Sequence, residues 1–238
     1  MSMVEYTVDE HVAVITLNSG ENRFRPDFIN AFIEVLDEVE KDTDARALVV
    51  RSAHEKIFSN GIDLEWLVPI IKSEKMREAK EFFYLLNTLF KRTLTSPLIT
   101  VAAINGHAFA AGAIWACAFD FRFMRTGRGY FCFPEVDLGI PFLPGMLALL
   151  KRAIPTYQME AMVLTGLRMT AEECERHHIV TKACPLENLM DEVLSFAREL
   201  KKNRVILREI KFRMYRDIIR ALDEEDAPYI EAENFHIG

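Results

Sequence analysis

Lys56-Ile57-Phe58-Ser59-Asn60-Gly61-Ile62-Asp63-Leu64-Glu65-Trp66 and Ile104-Asn105-Gly106-His107-Ala108-Phe109-Ala110-Ala111-Gly112-Ala113-Ile114 are the two stretches on which the reading of this chain turns. Each follows an apolar run, Ala47–Val50 in the first case and Leu98–Ile104 in the second, that reads as a buried strand. Each then leads towards a helix. Small residues at a strand-to-helix junction let a ligand approach the backbone, and the first N–H groups of a helix have no intrahelical acceptor. Two such junctions on neighbouring strands aim two N–H donors at one oxygen, the arrangement of an oxyanion hole. Either stretch alone reads only as a glycine turn at a strand end.

Working outward, Val4–Val8 and Val12–Leu17 are β-branched runs on either side of Asp9-Glu10 and predict a strand pair. Pro26 opens a helix whose apolar residues Phe28, Phe32, Val35, Leu36 and Val39 recur at helical spacing. A charged helix is expected from Met76 to Leu94, a short one from about Ala111 to Ala118, and a strand at Phe121–Met124. The alternation of strand and helix predicts an α/β fold with right-handed crossovers. Beyond Pro155 the chain turns helical. Thr170-Ala171-Glu172-Glu173 is a capping box, and Leu189, Val193, Phe196, Ala197 and Leu200 share one face of a helix over 186–200. The expected organisation is an α/β core over 1–185 and a helical region over 186–238.

The chain has 238 residues, 50% hydrophobic and 27% charged, which is globular rather than disordered composition. Lys and Arg number 29 against 36 Asp and Glu, a net charge of −7 that argues against nucleic acid or an anionic membrane as partner. Cys117, Cys132, Cys174 and Cys184 form no C-x-x-C pair and read as free thiols of a reducing compartment. The first residues lack the pattern of a signal peptide, the last match no peroxisomal tag, and no apolar run approaches the roughly 20 residues of a membrane span. A cytoplasmic protein is expected. There is no G-x-S-x-G elbow, Walker A sequence or dinucleotide fingerprint. His177-His178 reads as an exposed helix end and no metal site is expected. His107 reads as a packing or hydrogen-bonding residue.

Taken together the two stretches resemble the enoyl-CoA hydratase/isomerase (crotonase) superfamily. The resemblance is carried by Phe58-Ser59-Asn60-Gly61-Ile62-Asp63-Leu64 and by Asn105-Gly106-His107-Ala108-Phe109-Ala110-Ala111-Gly112 with Asp120 beyond it. It continues through Phe133-Pro134-Glu135-Val136-Asp137-Leu138-Gly139-Ile140-Pro141, Leu164-Thr165-Gly166 and Ile179-Val180. It implies a spiral of ββα units followed by helices that oligomerise the chain as trimers or pairs of trimers. It also implies an acyl-CoA thioester substrate, with coenzyme A as part of the substrate and no other cofactor, and a place in fatty acid β-oxidation.

The same resemblance implies roles. Ile62 and Ala111 fall where the family supplies the two backbone donors to the thioester oxygen, and Ala111 then needs an ordinary φ. Hydratases of the family hold water with two glutamates. Here one position is Ile114, which cannot orient water, and the other is Glu135. A lone carboxylate among Phe131, Phe133, Val136 and Phe142 suits proton transfer rather than hydration, and an apolar setting raises its pKa towards neutrality. The expected reaction is isomerisation of a 3-enoyl-CoA to the 2-enoyl ester. Gly20 to Asp27, with Arg23 and Phe24, and the Glu135 to Pro141 string resemble the plant-type Δ-isomerase branch. Asn60, Gly61, Asp63, Trp66, Arg23 and Phe24 are the expected substrate-binding residues, with Asp63 and Asp120 also candidates for capping and pinning loops. Asp137 is expected to be structural, on the opposite side from Glu135 if the segment is extended. Lys201, Lys202, Arg204, Arg208 and Lys211 read as a solvated basic face. The competing readings are a hydratase, dehydratase or thioester hydrolase that recruits His107, and an acyl-CoA-binding subunit without turnover.

Overall fold

The computed structural model describes residues 2–73 and 75–233. Residues 234–238, the end of the region expected to be helical, lie outside the described residues. The first strand pair forms as expected: β1 (Val4–Asp9) and β2 (Val12–Leu17) are antiparallel, with Val4 opposite Leu17 and Asp9 opposite Val12. Pro26 starts α1 (Pro26–Asp42), whose φ it presets, and the helix buries Phe28, Ile29, Phe32, Leu36 and Val39.

Three ββα units follow. The first is β3 (Ala47–Ser52), β4 (Ile57–Ser59) and two helices, α2 (Leu64–Lys72) and α3 (Met76–Leu94). The second is β5 (Ile99–Ile104), β6 (His107–Phe109) and α4 (Ala111–Ala116). The third is β7 (Phe121–Arg125), β8 (Phe131–Cys132) and α5 (Glu135–Leu138). Then come α6 (Pro144–Ala153), α7 (Thr156–Thr165), α8 (Ala171–Arg176) and β9 (Lys182–Cys184). The leading strand of each unit enters a six-stranded sheet ordered β1-β2-β3-β5-β7-β9, and the trailing strand enters a three-stranded sheet ordered β4-β6-β8. The second sheet is absent from the sequence reading because strands of two or three residues are too short to show a period. Its pairing is what brings the site together. The capping box at Thr170 and Glu173 forms as expected.

Trp115 of α4 is the centre of the main core. It is completely buried, rings of Phe24, Phe32, Phe58 and Phe119 surround it at 4.9–5.9 Å, and its indole N–H donates to Thr93 at 2.9 Å. Aromatic pairs at such distances favour these edge and offset geometries and fix the orientation of α4. The other face of the large sheet is covered by α9 (Leu186–Arg198), whose Leu189, Val193 and Ala197 pack with Val12, Val49, Val101 and Phe123. The boundary expected at 185 therefore marks no break in packing, because α9 closes the core of the preceding domain.

The described residues end in α10 (Arg204–Met214), α11 (Arg216–Arg220), a π-helical turn (Ala221–Glu225) and α12 (Ala227–Glu231). The basic face expected here is only partly solvated. Lys201, Lys202 and Arg208 are exposed, but Lys211 is buried and its Nζ donates to Leu98 O at 2.7 Å and to Asp120 at 2.6 Å. Arg204 is half-buried and donates to Thr43 O at 2.8 Å. A run of cations in sequence does not reveal which one turns inward to a carbonyl and a carboxylate. All four cysteines are buried free thiols, and burial pushes Cys117 up to about 11. Among the described residues no helix is long and apolar enough to cross a membrane.

Candidate active site

The small sheet sets three chain segments side by side. β4 and β6 pair in parallel with Ile57 opposite His107 and Ser59 opposite Ala108, and β6 pairs with β8 through Ala108 to Phe131 and Phe109 to Cys132. What leaves each strand then lines one cavity of about 660 Å³: Asn60 and Ile62, Ala110 and Ala111, Pro134 and Glu135.

The first two segments cross in backbone contact. A Cβ on Gly61 would lie 2.7 Å from Ala111 N, and one on Gly112 would lie 2.4 Å from Ser59 O. Only residues without side chains allow the approach. Phe24 N donates to Gly61 O at 2.7 Å and Asp63 N donates to Phe24 O at 3.1 Å. This bridge uses the groups on either side of Ile62 and turns the Ile62 N–H away from Phe24. Ala111 is the first residue of α4, where the leading amides have no intrahelical acceptor. Ile62 and the leading amide of α4 at Ala111 thus stand on adjoining backbones that both border the cavity. Ala111 keeps an ordinary φ, and the left-handed conformation falls on Ala110, at φ 50° and ψ −131°.

Glu135 is the first residue of α5 and is 6% exposed. Its Oε2 has no hydrogen-bond partner among the described residues. Burial pushes its carboxyl up to about 7, against a smaller opposing pull from its own backbone N–H. The segment is a helical turn rather than extended, ended by Gly139 at φ 65°. Val136 is therefore rotated outward, 49% exposed, and is no part of the apolar shell expected around Glu135. Asp137 is exposed and does not face the site from the far side of a strand; its carboxylate lies against Gly166, where a Cβ would come within 2.4 Å of an oxygen. The apolar wall comes from Ile114, Leu138, Phe142 and Met146.

The expected substrate-binding residues divide. Arg23 and Asn60 line the cavity. Arg23 is paired with Glu21 at 2.7 Å and Glu65 at 3.2 Å, and Asn60 donates to Glu21 at 3.0 Å, which holds the Glu21 carboxyl below the usual range. Gly61 contributes backbone geometry. Asp63 is the N-cap of α2, accepting from Trp66 N at 3.3 Å. Trp66 packs on Phe82 at 5.1 Å and is no part of the cavity wall, whereas its neighbour Leu67 is. Phe24 is completely buried in the Trp115 cluster and does not reach the cavity either, because its bridge to Ile62 directs the ring into the core. The sequence reading missed the wall formed by Leu64, Phe83, Leu143, Pro228, Tyr229 and Ala232. Apolar residues of amphipathic helices give no sign of whether they face core or cavity. His107 stands at the start of β6, half-buried between the rings of Phe109 and Tyr130, and is no part of the cavity wall. Burial, aided by Arg168 and Arg128, lowers its pKa. Among the described residues no group of His, Cys, Asp or Glu is arranged to hold a metal.

Known proteins share this architecture. The chain is 29% identical over 213 residues to enoyl-CoA delta isomerase 3 of Arabidopsis thaliana, covering 85% of this chain and 87% of that one. It is 28% identical over 194 residues to the short-chain-enoyl-CoA hydratase of Clostridium acetobutylicum, covering 81% and 72%. A solved structure of an enoyl-CoA hydratase/isomerase family protein from Pseudomonas syringae superposes with a TM-score of 0.86 at 26% identity, covering 96% of this chain and 97% of that one. The enoyl-CoA hydratase/isomerase family model matches residues 7–237, the two crossed glycine segments and the buried glutamate included, and the chain belongs to that family.

Proposed function

We propose that the protein is an enoyl-CoA isomerase that moves the double bond of a 3-enoyl-CoA thioester to the 2-position. The observation that carries this reading is a single carboxylate among the described cavity-lining residues, Glu135, buried on the same cavity as the Ile62 and Ala111 backbones, with the apolar Ile114 at the position where the resemblance implies a hydratase's other glutamate. Glu135 as carboxylate removes a proton from C2. The electrons move into the thioester carbonyl, and the dienolate oxygen is held by the N–H groups of Ile62 and Ala111. The resulting carboxylic acid returns the proton to C4, so the double bond lies between C2 and C3 and the enzyme is unchanged. A pKa of about 7 suits a group that must both take and give a proton near neutral pH. The apolar wall keeps water from the intermediate. Coenzyme A enters as part of the substrate, and the reaction needs no separate cofactor.

Hydration would need a second acid or base, and His107 does not line the cavity. The test sets 3-hexenoyl-CoA beside crotonyl-CoA. The expected result is formation of the conjugated ester from the first, followed by ultraviolet absorbance, and no hydration of the second. Glu135→Gln is expected to abolish isomerisation while acyl-CoA binding persists. Full activity in that variant, or hydration as the faster reaction, overturns the reading.

A further inference from the structure

The last described helix, α12, contributes a wall to the cavity through Pro228 and Tyr229, with Ala232 just beyond its end. What holds it there is a buried carboxylate outside the proposed chemistry. Asp226 is completely buried, accepts from Gly145 N at 2.7 Å and from Asn87 Nδ2 at 2.8 Å, and so joins three elements. Gly145 lies in the first turn of α6, which has no cap of its own: Leu143 makes no capping bond and the turn contains no acidic residue. Asp226 therefore serves as a cap supplied from another part of the chain, with its negative charge at the positive end of the helix. Asn87 lies on α3 and also donates to Leu222 O at 2.9 Å. Gly145 is needed for the approach, since a Cβ there would lie 2.7 Å from an Asp226 oxygen.

All three joined elements face the cavity: α3 with Phe83, α6 with Met146, and α12 with Pro228 and Tyr229. Ile230, completely buried, and Glu231, which pairs with Lys80 at 3.1 Å and Tyr84 at 2.8 Å, fasten α12 to α3 at its other end. Tyr229 is 60% exposed while lining the cavity, so it stands at the rim. The side chains these elements present to the cavity are uncharged. A carboxylated or otherwise polar tail would lose its hydration without gaining a partner, whereas an aliphatic tail gains about fourfold in affinity for each methylene buried.

We infer that α12 is the selector of the acyl tail, with Tyr229 the specificity-determining residue that ends an aliphatic chain and Asp226 the positioning residue that seats the helix. This rests on the acyl-CoA reading of the cavity, but not on which reaction follows. The test is calorimetric binding of saturated acyl-CoA esters, butyryl through dodecanoyl, which requires no turnover. In the wild type, affinity is expected to rise with chain length and then stop rising at the length that meets Tyr229. In Tyr229→Ala, an exposed position where folding is not at risk, the rise continues and the longest ester binds at least fivefold more tightly than to the wild type. In Asp226→Asn, which keeps the size but offers Gly145 N a weaker acceptor, the long esters lose affinity and butyryl-CoA does not. Superimposable profiles for wild type and Tyr229→Ala overturn the inference and leave the isomerase reading standing. Failure of every ester to bind overturns both.

Discussion

Lys211 Nζ lies 2.6 Å from an Asp120 carboxylate oxygen, and this buried pair ties the C-terminal helices to the rear of α4, whose front carries the Ala111 donor. Asp120 also accepts from Thr100 N at 2.8 Å, while Arg152 donates to the carbonyls of Cys117 and Phe119 at 2.7 and 3.0 Å. The rear of α4 is therefore fixed by charge as its middle is fixed by Trp115. Lys211→Ala leaves Asp120 with only the more distant Arg152, at 3.8 Å, as ionic partner, and the expected loss of unfolding free energy is at most about 3–5 kcal/mol. Denaturant unfolding of this variant, Asp120→Asn and the double variant measures the coupling. A coupling no larger than the roughly 0–1 kcal/mol of a surface pair would count against the assignment.

Gly61→Ala is the sharpest test of the crossed backbones. Its Cβ would lie 2.7 Å from Ala111 N, and its φ of +72° disfavours any side chain. The two donors must move apart, and losing one donor from such a site costs about 10²–10³ in rate. A comparable fall in kcat, with circular dichroism showing a folded protein, is the expected outcome.

Ala110 takes φ 50° and ψ −131°, a conformation suited to glycine. Strain of this kind costs on the order of 1–3 kcal/mol. Ala110→Gly relieves it, partly offset by the greater freedom of glycine in the unfolded chain. The expected net effect is about 1 kcal/mol of added stability with activity retained, read from thermal unfolding and the isomerase assay.

The pH dependence follows from Glu135. Its carboxyl is raised to about 7, and the base form starts the reaction, so kcat/KM should fall about tenfold per pH unit below that value and level off above it. Stability has the opposite sense. A carboxyl whose folded pKa is raised stabilises the fold below its unfolded value, near 4.5, and that contribution is lost as pH rises through about 7. Glu135→Gln removes the cost of burying the charge. At pH 8 it should be more stable than the wild type by up to about 3 kcal/mol, with the difference vanishing towards pH 4.

The long elements were legible in the sequence because each shows its period: the β-branched strands β1, β2, β3 and β5, the helix begun by Pro26, the capping box at Thr170 and the striped helix α9. Ile62, Ala111 and Glu135 could be singled out through the resemblance of their segments to the family, and the structure places all three on one cavity. Tertiary structure alone decided the rest. β4, β6 and β8 are too short to carry a pattern, and only their pairing in a second sheet presses Gly61 against Ala111. Phe24 and Trp66 belong to the core, Lys211 is buried, and the cavity wall includes Tyr229, far along the chain. A sequence states what a residue can do through its chemistry and local spacing; which apolar face meets the core or the cavity, and which cation finds a carboxylate, depends on contacts between segments distant in the chain.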